Sequence, residues 1–238
     1  MGEAKRRKMY RESPAGQQSP MEQETQRNLL LLEACKTGRT TRVVKLLREG
    51  ADKETYDHDY RFDRYTNVYH ISECDLEIFY EMSELRLTPL LTALQNNREP
   101  VVLILLDMGA DTRCRDENGA GIWHYVAGKN MLRVAQWLCD HDISADVRDC
   151  WYETPFHSVS NADMVPFLKK AGCPLDTPGG EEGGTPLEHV AKRSGPTAIR
   201  LARAMLDSGA DPRLVNLPDY EYESPAIQRL ILQYRSKL

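Results

Sequence analysis

The sequence has no apolar run long enough to cross a membrane. Hydrophobic residues make up 41% of its 238 residues, but nowhere do they form an uninterrupted stretch of about 18. A secretory signal also needs an apolar segment after its basic residues. Here polar Gln17-Gln18-Ser19-Pro20 follows the cluster Lys5-Arg6-Arg7-Lys8 instead. We therefore expect no membrane contact and a location in the cytoplasm, the nucleus or both.

Closely spaced cysteines are missing as well. The six cysteines are scattered, with no C-x-x-C pair among them: Cys35, Cys74, Cys114, Cys139, Cys150 and Cys173. Without an export signal, reduced thiols are the better interpretation. The spacing therefore predicts no disulfide framework.

The common catalytic signatures are also absent. No G-x-S-x-G, H-E-x-x-H or P-loop motif occurs, and the glycine-rich stretch 179–184 contains Glu181-Glu182, which would repel phosphate. Ligand types that suit zinc do gather in one acidic stretch: Asp57, His58, Asp59, Asp63, His70 and Cys74. Their spacing matches no metal-binding pattern, so an enzyme or metal protein is only an alternative. We expect no enzyme activity, catalytic residue, metal or cofactor.

Internal repetition is what the sequence does contain. Four segments align: Thr88-Pro89-Leu90, Gly121-Ile122-Trp123-His124, Thr154-Pro155-Phe156-His157 and Thr185-Pro186-Leu187-Glu188-His189. Their second residues fall at 89, 122, 155 and 186, in steps of 33, 33 and 31. A second phrase alternates with them: Gly50-Ala51-Asp52, Gly109-Ala110-Asp111, Gly172-Cys173-Pro174 and Gly209-Ala210-Asp211. Alternation at this period indicates a repeat architecture.

Both phrases have a physical reason. Threonine before proline places an N-cap and a first helical residue, and glycine after an apolar stretch supplies a left-handed C-cap. Between the phrases, segments such as Leu132–Leu138 show the 3.6-residue period of an amphipathic helix. The residues predict pairs of helices, a short one followed by a longer one, joined by polar turns.

These phrases resemble the ankyrin repeat, a 33-residue unit with T-P-L-H-x-A near its start and G-A-D at its end. The resemblance covers roughly Asn28 to Leu238. It implies an all-α ankyrin-repeat solenoid of about six helix-turn-helix units, with short β-hairpin or turn connections and one long insertion. The repeats lie at residues 28–53, 87–115, 116–148, 149–177 and 178–212, with a capping repeat at 213–238.

Two of these repeats depart from the pattern. Gly121-Ile122 stands where Thr-Pro is expected, so the third unit loses its N-cap, and Pro166 lies within the second helix of the fourth unit. That helix tolerates Pro166 if it begins near Asn161 or Ala162 and is kinked otherwise. We expect these units to be the softer part of the stack.

Residues 1–27 precede the first predicted helices, which lie near Leu29–Lys36 and Thr41–Glu49. Their Ser-Pro pairs, glutamines and scarcity of apolar residues predict a disordered N-terminal tail. The basic cluster Lys5, Arg6, Arg7 and Lys8 is similar to a nuclear-localisation signal, and a solubilising tail is the alternative.

An insertion at residues 54–86 separates the first two repeats. The step from Gly50 to Gly109 is 59, which exceeds the usual step of 33 by 26. Residues 53–86 hold nine acidic and four basic residues, so they carry the whole net charge of −5. They also hold seven aromatic residues: Tyr56, Tyr60, Phe62, Tyr65, Tyr69, Phe79 and Tyr80. The insertion either packs its aromatics over the stack or binds a partner through an acidic, tyrosine-rich finger, and both can hold at once.

Histidine and tryptophan are the remaining candidates for chemistry. The resemblance implies that His124 and His157 are structural and hydrogen-bond between neighbouring repeats, whereas His189 is shifted by one position and its role stays open. Trp123 occupies the leucine position of its phrase and Trp137 lies on an apolar stripe, so both are predicted to be core residues.

Ankyrin repeats usually bind partners through their hairpin tips and the exposed side of their first helices. Carried onto this sequence, the resemblance implies tip contacts from Glu117, Asn118, Ala120, Cys150, Trp151 and Glu153, and first-helix contacts from Gln95, Lys129 and Lys192. Trp151 stands out because a tip offers no core to enter and tryptophan is enriched among binding hot spots. The alternative is that its ring folds back on a neighbouring hairpin.

The sequence thus predicts a non-enzymatic protein–protein interaction module, an adaptor or regulator that is monomeric by itself. It would bind a partner protein through its concave surface and through the insertion, with contacts from Tyr56, Tyr60 and Tyr65. An acidic insertion implies a basic patch on the partner, and the net charge argues against nucleic acid. The alternative is a nuclear regulator that resembles the inhibitory ankyrin proteins that mask transcription factors.

Overall fold

A computed structural model describes residues 19–56, 87–216 and 224–237. In these residues there are eleven α-helices, two 3-10 helices at Ala162–Met164 and Pro212–Leu214, and no extended strand. The α-helices are α1 (Pro20–Thr37), α2 (Thr40–Arg48), α3 (Pro89–Gln95), α4 (Glu99–Asp107), α5 (Ile122–Lys129), α6 (Leu132–Asp140), α7 (Pro155–Ser158), α8 (Val165–Lys170), α9 (Pro186–Ala191), α10 (Pro196–Asp207) and α11 (Pro225–Arg235). The prediction of an all-α fold is confirmed for this part of the chain.

Tight turns lie within the connections between helix pairs. Arg115 forms an isolated antiparallel bridge with Gly121, and Gly179 forms another with Gly184. No longer ladder is present in the described ranges, so the predicted hairpins are turns closed by single residue pairs.

Most of the predicted helix starts are confirmed at the level of the cap. The hydroxyl groups of Thr88 and Thr185 each accept a hydrogen bond from a backbone N–H three residues on, at 3.3 Å. Thr154 occupies the same position, but its hydroxyl lies 3.0 Å from Nδ1 of His157 instead of capping the helix. Thr154 is thus the N-cap residue of α7, as predicted, although its hydroxyl is engaged by the histidine rather than by a backbone N–H.

The helix ends show why glycine recurs in the second phrase. Gly109 and Gly172 have φ angles of 75° and 81°, in the left-handed region that side chains other than glycine rarely adopt. Apart from the adjoining residues, no atom of the described ranges lies within 4 Å of where their Cβ atoms would be, so conformation rather than space favours glycine. Asp142 takes the equivalent position in the degenerate copy of the phrase, with φ 55°.

Helix α1 begins nine residues earlier than predicted. Ser19 caps it: its hydroxyl accepts from the N–H of Glu22 at 3.2 Å, and the Glu22 carboxylate accepts from the N–H of Ser19 at 2.7 Å. This reciprocal pair is a capping box, which stabilises a helix start even in a polar segment. The prediction of a disordered tail was therefore wrong for residues 20–27, and residues 1–18, with the basic cluster, lie outside the described residues.

The helices pack in two rows around one core. One row runs α1, α3, α5, α7 and α9; the other runs α2, α4, α6, α8 and α10, with α11 against α10. The core extends from Leu31 to Ile231. Helices α1 and α3 pack directly on each other, as do α2 and α4, although residues 57–86 separate them in sequence. No described helix is long and apolar enough to cross a membrane.

The two tryptophans predicted to be core residues differ in burial. Trp123 is buried, as predicted, and its indole N–H donates to the carbonyl oxygen of Ile143 at 3.0 Å. Trp137 lies half-buried at the edge of the core, because its indole N–H reaches a carboxylate oxygen of Asp107 at 2.8 Å and its ring stacks on His141.

Pro166 lies in the first turn of α8, directly after the 3-10 helix. Of the two predicted possibilities, this is the one in which the helix tolerates the proline.

Candidate functional site at the turn tips

Three turns lead into the first-row helices α5, α7 and α9, and we call them the tip turns: residues 116–120, 149–153 and 179–184. An aspartate organises each of the first two. One carboxylate oxygen of Asp116 accepts the N–H groups of Asn118 and Ala120, both at 2.9 Å. The carboxylate of Asp149 binds the N–H groups of Trp151 and Glu153 in the same way, again at 2.9 Å. The same local structure thus recurs one repeat later.

Backbone hydrogen bonds join each tip turn to the next. The N–H of Cys150 donates to the carbonyl of Asn118 at 2.9 Å, and the N–H of Gly180 donates to the carbonyl of Trp151 at 2.8 Å. Arg115 adds a side-chain link, because one guanidinium nitrogen donates to the carbonyl oxygens of Gly119 and Arg148 at 2.7 and 3.0 Å. The three turns therefore form one continuous surface, which we call the tip ridge.

Two buried histidines hold the tip ridge to the helices. Nε2 of His124 lies 3.0 Å from the carbonyl oxygen of Glu153, while its Nδ1 accepts the N–H of Gly121 at 3.3 Å. His157 repeats this arrangement, with Nε2 3.2 Å from the carbonyl oxygen of Gly184 and Nδ1 accepting the N–H of Thr154 at 2.9 Å. Since a carbonyl only accepts, Nε2 carries the proton in both rings.

These two rings are neutral for a physical reason. In each ring, a proton on Nδ1 would point at the backbone N–H that Nδ1 now accepts, so the two hydrogens would repel each other. Burial also lowers the pKa of both His124 and His157, because it disfavours the charged ring. Each ring therefore links its own helix start to the following turn, the structural role that the sequence analysis expected for them.

His189, whose role the sequence left open, lies under the third tip turn. Its ring packs edge-on against His157, with centroids 5.0 Å apart, and its Nδ1 lies 3.8 Å from a carboxylate oxygen of Glu153. Burial, followed by the positive charge that a protonated His157 would carry, lowers the pKa of His189 to about 4. It is therefore a neutral packing residue near pH 7.

The tip contacts predicted from the sequence all lie in the tip ridge. Cys150 is exposed, and the others are half-buried: Glu117, Asn118, Ala120, Trp151 and Glu153. Trp151 is thus neither fully exposed nor part of the core. Burial is the main cause that raises the pKa of the Cys150 thiol to about 11, so little of the reactive thiolate is present near pH 7.

The predicted first-helix contacts lie at the far ends of their helices. Gln95 ends α3 and donates from its amide to the hydroxyl of Tyr125 at 3.2 Å, and that hydroxyl donates in turn to Asp116. Lys192 follows α9 and forms an ion pair with Glu182 of the third tip turn. The structure thus connects Gln95 and Lys192 to the tip ridge, while Lys129 lies half-buried at the end of α5.

Several of the candidate residues predicted in the insertion lie at the edge of the described ranges or outside them. Tyr56 is the last described residue before the gap and is half-buried, whereas Tyr60, Tyr65 and the possible metal ligands between Asp57 and Cys74 fall in residues 57–86. In the described part of the chain, no three His, Cys, Asp or Glu side chains gather closely enough to hold a metal ion.

One exposed aromatic residue of the tip ridge was not among the predicted contacts. Tyr152, between two predicted contacts, is 49% exposed and has a φ of 59°. The signal was in the sequence, because Tyr152 lies one repeat step after Gly119, whose φ is 73°.

In comparisons with known proteins, no family model matches the chain and no curated protein matches it.

Proposed function

We propose that the chain is an ankyrin-repeat protein, a solenoid of about six units with an insertion between the first two. The recurrence of hydrogen bonds at the repeat spacing supports this. Asp116 and Asp149 organise identical turns, and His124 and His157 make the same bonds to the following turn. The two rows of helices, each packed on the next, fit the same architecture.

We propose further that the protein is a non-enzymatic adaptor or regulator that binds another protein along the tip ridge and the adjoining first-row helices. The observation that carries this proposal is the continuity of the ridge. Its turns are hydrogen-bonded into one surface, and they hold Trp151 and Tyr152 partly exposed at its middle. Aromatic side chains on a preorganised surface are typical of binding hot spots.

Affinity purification with wild type and Trp151→Ala tests this proposal. We expect a prey protein bound by wild type to be lost or reduced about tenfold with Trp151→Ala, since a hot-spot truncation costs about 1.4 kcal/mol or more. Trp137→Ala is the matched control, because Trp137 is another half-buried tryptophan but lies on α6, in the second row. Equal recovery of every prey by all three proteins would contradict the proposal.

The acidic insertion extends this proposal to the charge of the partner. We expect residues 54–86 to bind a basic patch, so binding should weaken with added salt and on deletion of Tyr56–Glu81. Binding that is unchanged by both treatments would remove the insertion from the proposed surface and leave the tip ridge.

A nuclear regulator that masks a transcription factor is the alternative role. It is favoured by the basic cluster Lys5, Arg6, Arg7 and Lys8. A fluorescent reporter fused to residues 1–27 should then accumulate in the nucleus, and one with the four bases changed to alanine should not.

An enzyme or metal protein is the second alternative. Metal analysis of the purified protein tests it, because a stoichiometric metal would direct attention to residues 57–86.

A further inference from the structure

Tyr152 occupies a backbone position that glycine fills in the preceding turn. The N–H of Gly119 donates to the carbonyl of Asp116 at 2.9 Å, and the N–H of Tyr152 donates to the carbonyl of Asp149 at 3.1 Å. The two turns also share their closing hydrogen bonds, from Asp116 to Ala120 and from Asp149 to Glu153, each at 3.1 Å. Tyr152 therefore takes the left-handed conformation of Gly119 while carrying a large side chain.

Burial does not explain this choice of residue. A left-handed conformation is unfavourable for residues other than glycine, asparagine and aspartate. An aromatic side chain can compensate by entering a core, but Tyr152 is 49% exposed. Strained backbone positions of this kind cluster at functional sites, which makes Tyr152 a candidate contact residue.

The backbone around Tyr152 is held firmly on both sides. A Cβ atom on Gly179 would lie 2.7 Å from the carbonyl oxygen of Tyr152, so the third tip turn packs directly against this peptide. On the other side, the N–H of Cys150 binds the first tip turn. The ring of Tyr152 is thus carried on a rigid support beside Trp151.

The tip turns that carry this ring are acidic. They hold six carboxylates and no lysine or arginine: Asp116, Glu117, Asp149, Glu153, Glu181 and Glu182. Arg115, the base just before the first tip turn, is bound to two carbonyl oxygens. An aromatic face in a negative field attracts a cationic side chain, arginine above all.

We propose that Tyr152 is a specificity-determining contact of the tip ridge, whose ring receives an arginine or lysine side chain of the partner protein. This inference rests on the proposed function and deepens it, because it names a residue and the chemistry of the segment that it recognises. It is independent of the acidic insertion.

Selection from a random-peptide phage library on the full chain tests the inference. Peptides selected on wild type should be enriched in arginine or lysine, and a synthetic copy of the strongest should bind Tyr152→Gly about tenfold more weakly. Tyr152→Phe, which retains the ring, should bind within about twofold of wild type. Tyr152→Asn provides a second loss variant, because asparagine tolerates the left-handed conformation.

Asn97→Gly is the matched control for the backbone change. Asn97 is exposed and has a φ of 55°, but it lies in the turn between α3 and α4 and not in a tip turn. Equal binding by wild type, Tyr152→Gly and Tyr152→Asn, with loss in Trp151→Ala, would overturn the inference and leave the proposed function intact. Selected peptides without basic residues would overturn it as well, and failure of wild type to retain any peptide would count against both.

Discussion

At the scale of single residues, His124 and His157 are the polar links of the fold. Each ring donates to a carbonyl of the following turn and accepts an N–H of its own helix start, so both nitrogens are satisfied only in the neutral form. A buried donor or acceptor without a partner costs about 1–3 kcal/mol. The stability of the fold therefore depends on the protonation of these rings.

We expect the protein to lose stability as the pH falls below about 6.5, where histidines of the unfolded chain take up protons. Burial lowers the pKa of His124 and His157 in the folded state, and lowers that of His189 to about 4. The folded state then binds fewer protons, which costs up to about 1.4 kcal/mol per pH unit for each ring. Chemical denaturation at about pH 7 and about pH 5 measures this loss.

Replacing one ring shows whether the histidines cause this loss. Burial raises the pKa of Asp149 and Glu153, an effect that opposes the histidines, so a comparison of variants is needed. His157→Gln should be less stable at about pH 7 by about 1–3 kcal/mol and lose less stability on acidification. His141→Gln, which removes an exposed histidine, is the control. Equal pH dependence in wild type and His157→Gln would contradict the prediction.

Gly179 is a second position where one atom matters. A Cβ there would lie 2.7 Å from the carbonyl oxygen of Tyr152, so Gly179→Ala should push two tip turns apart and cost about 1–3 kcal/mol. Gly128→Ala is its control, because the nearest atom to a Cβ in α5 is the carbonyl oxygen of Ser158, at an ordinary 3.5 Å. A gain in the control of about 0.5–1 kcal/mol is expected from helix propensity. Denaturation midpoints that fall equally in both variants would refute the steric argument.

At the scale of elements, the fourth helix pair is built from unusually short pieces. Helix α7 has four residues, its N-cap hydroxyl turns to His157, and α8 has six residues after a 3-10 turn. Short helices leave most of their terminal N–H and carbonyl groups without partners inside the helix. This pair therefore depends on packing, through buried residues such as Phe156 and Leu168.

We expect amides of α7 and α8 to exchange with solvent at least about tenfold faster than those of α10, which corresponds to an opening free energy lower by about 1.4 kcal/mol. Helix α10 spans 12 residues and buries five of them, so it is the reference element. Native-state hydrogen exchange followed by mass spectrometry makes the comparison. Equal protection of the two regions would show that packing compensates fully for the short helices.

At the scale of the whole molecule, the helix pairs before and after residues 57–86 pack directly on each other. Helix α1 packs on α3 and α2 on α4, and the side chain of Glu54 accepts the N–H of Asp111 at 3.0 Å. Arg98 adds a hydrogen bond from its side chain to the carbonyl of Lys36 at 3.0 Å. These contacts join the two flanking helix pairs directly.

Replacing residues 57–86 with a short Gly-Ser linker should therefore preserve the fold. We expect the helical circular dichroism spectrum to be retained and the melting temperature to change by no more than about 4 °C, the shift that about 1 kcal/mol causes in a chain of this size. A linker of the same composition that replaces residues 116–120 is the control, because it removes a tip turn. Loss of cooperative unfolding after the first replacement would show that residues 57–86 support the stack.

Much of the helical framework could be predicted because its signals are local. A threonine–proline pair or a glycine after an apolar segment acts through its own backbone, so Pro89, Pro186, Gly109 and Gly172 have the predicted roles. The start of α1 was missed because its polar composition outweighed the capping box at Ser19. The candidate site was harder to predict, since the burial of Trp151 and the exposure of Tyr152 depend on how neighbouring turns pack.

The repeat period, the helix boundaries near each phrase and the left-handed positions are properties of short segments, so they can be read from the amino acids alone. Which groups meet depends on how one helix pair lies on the next. Gln95, Tyr125 and Asp116 form a chain of hydrogen bonds across two pairs, and the carbonyl of Gly184 lies above His157, far from it in sequence. The tip ridge therefore forms only when the helix pairs stack, because its hydrogen bonds join groups from neighbouring turns.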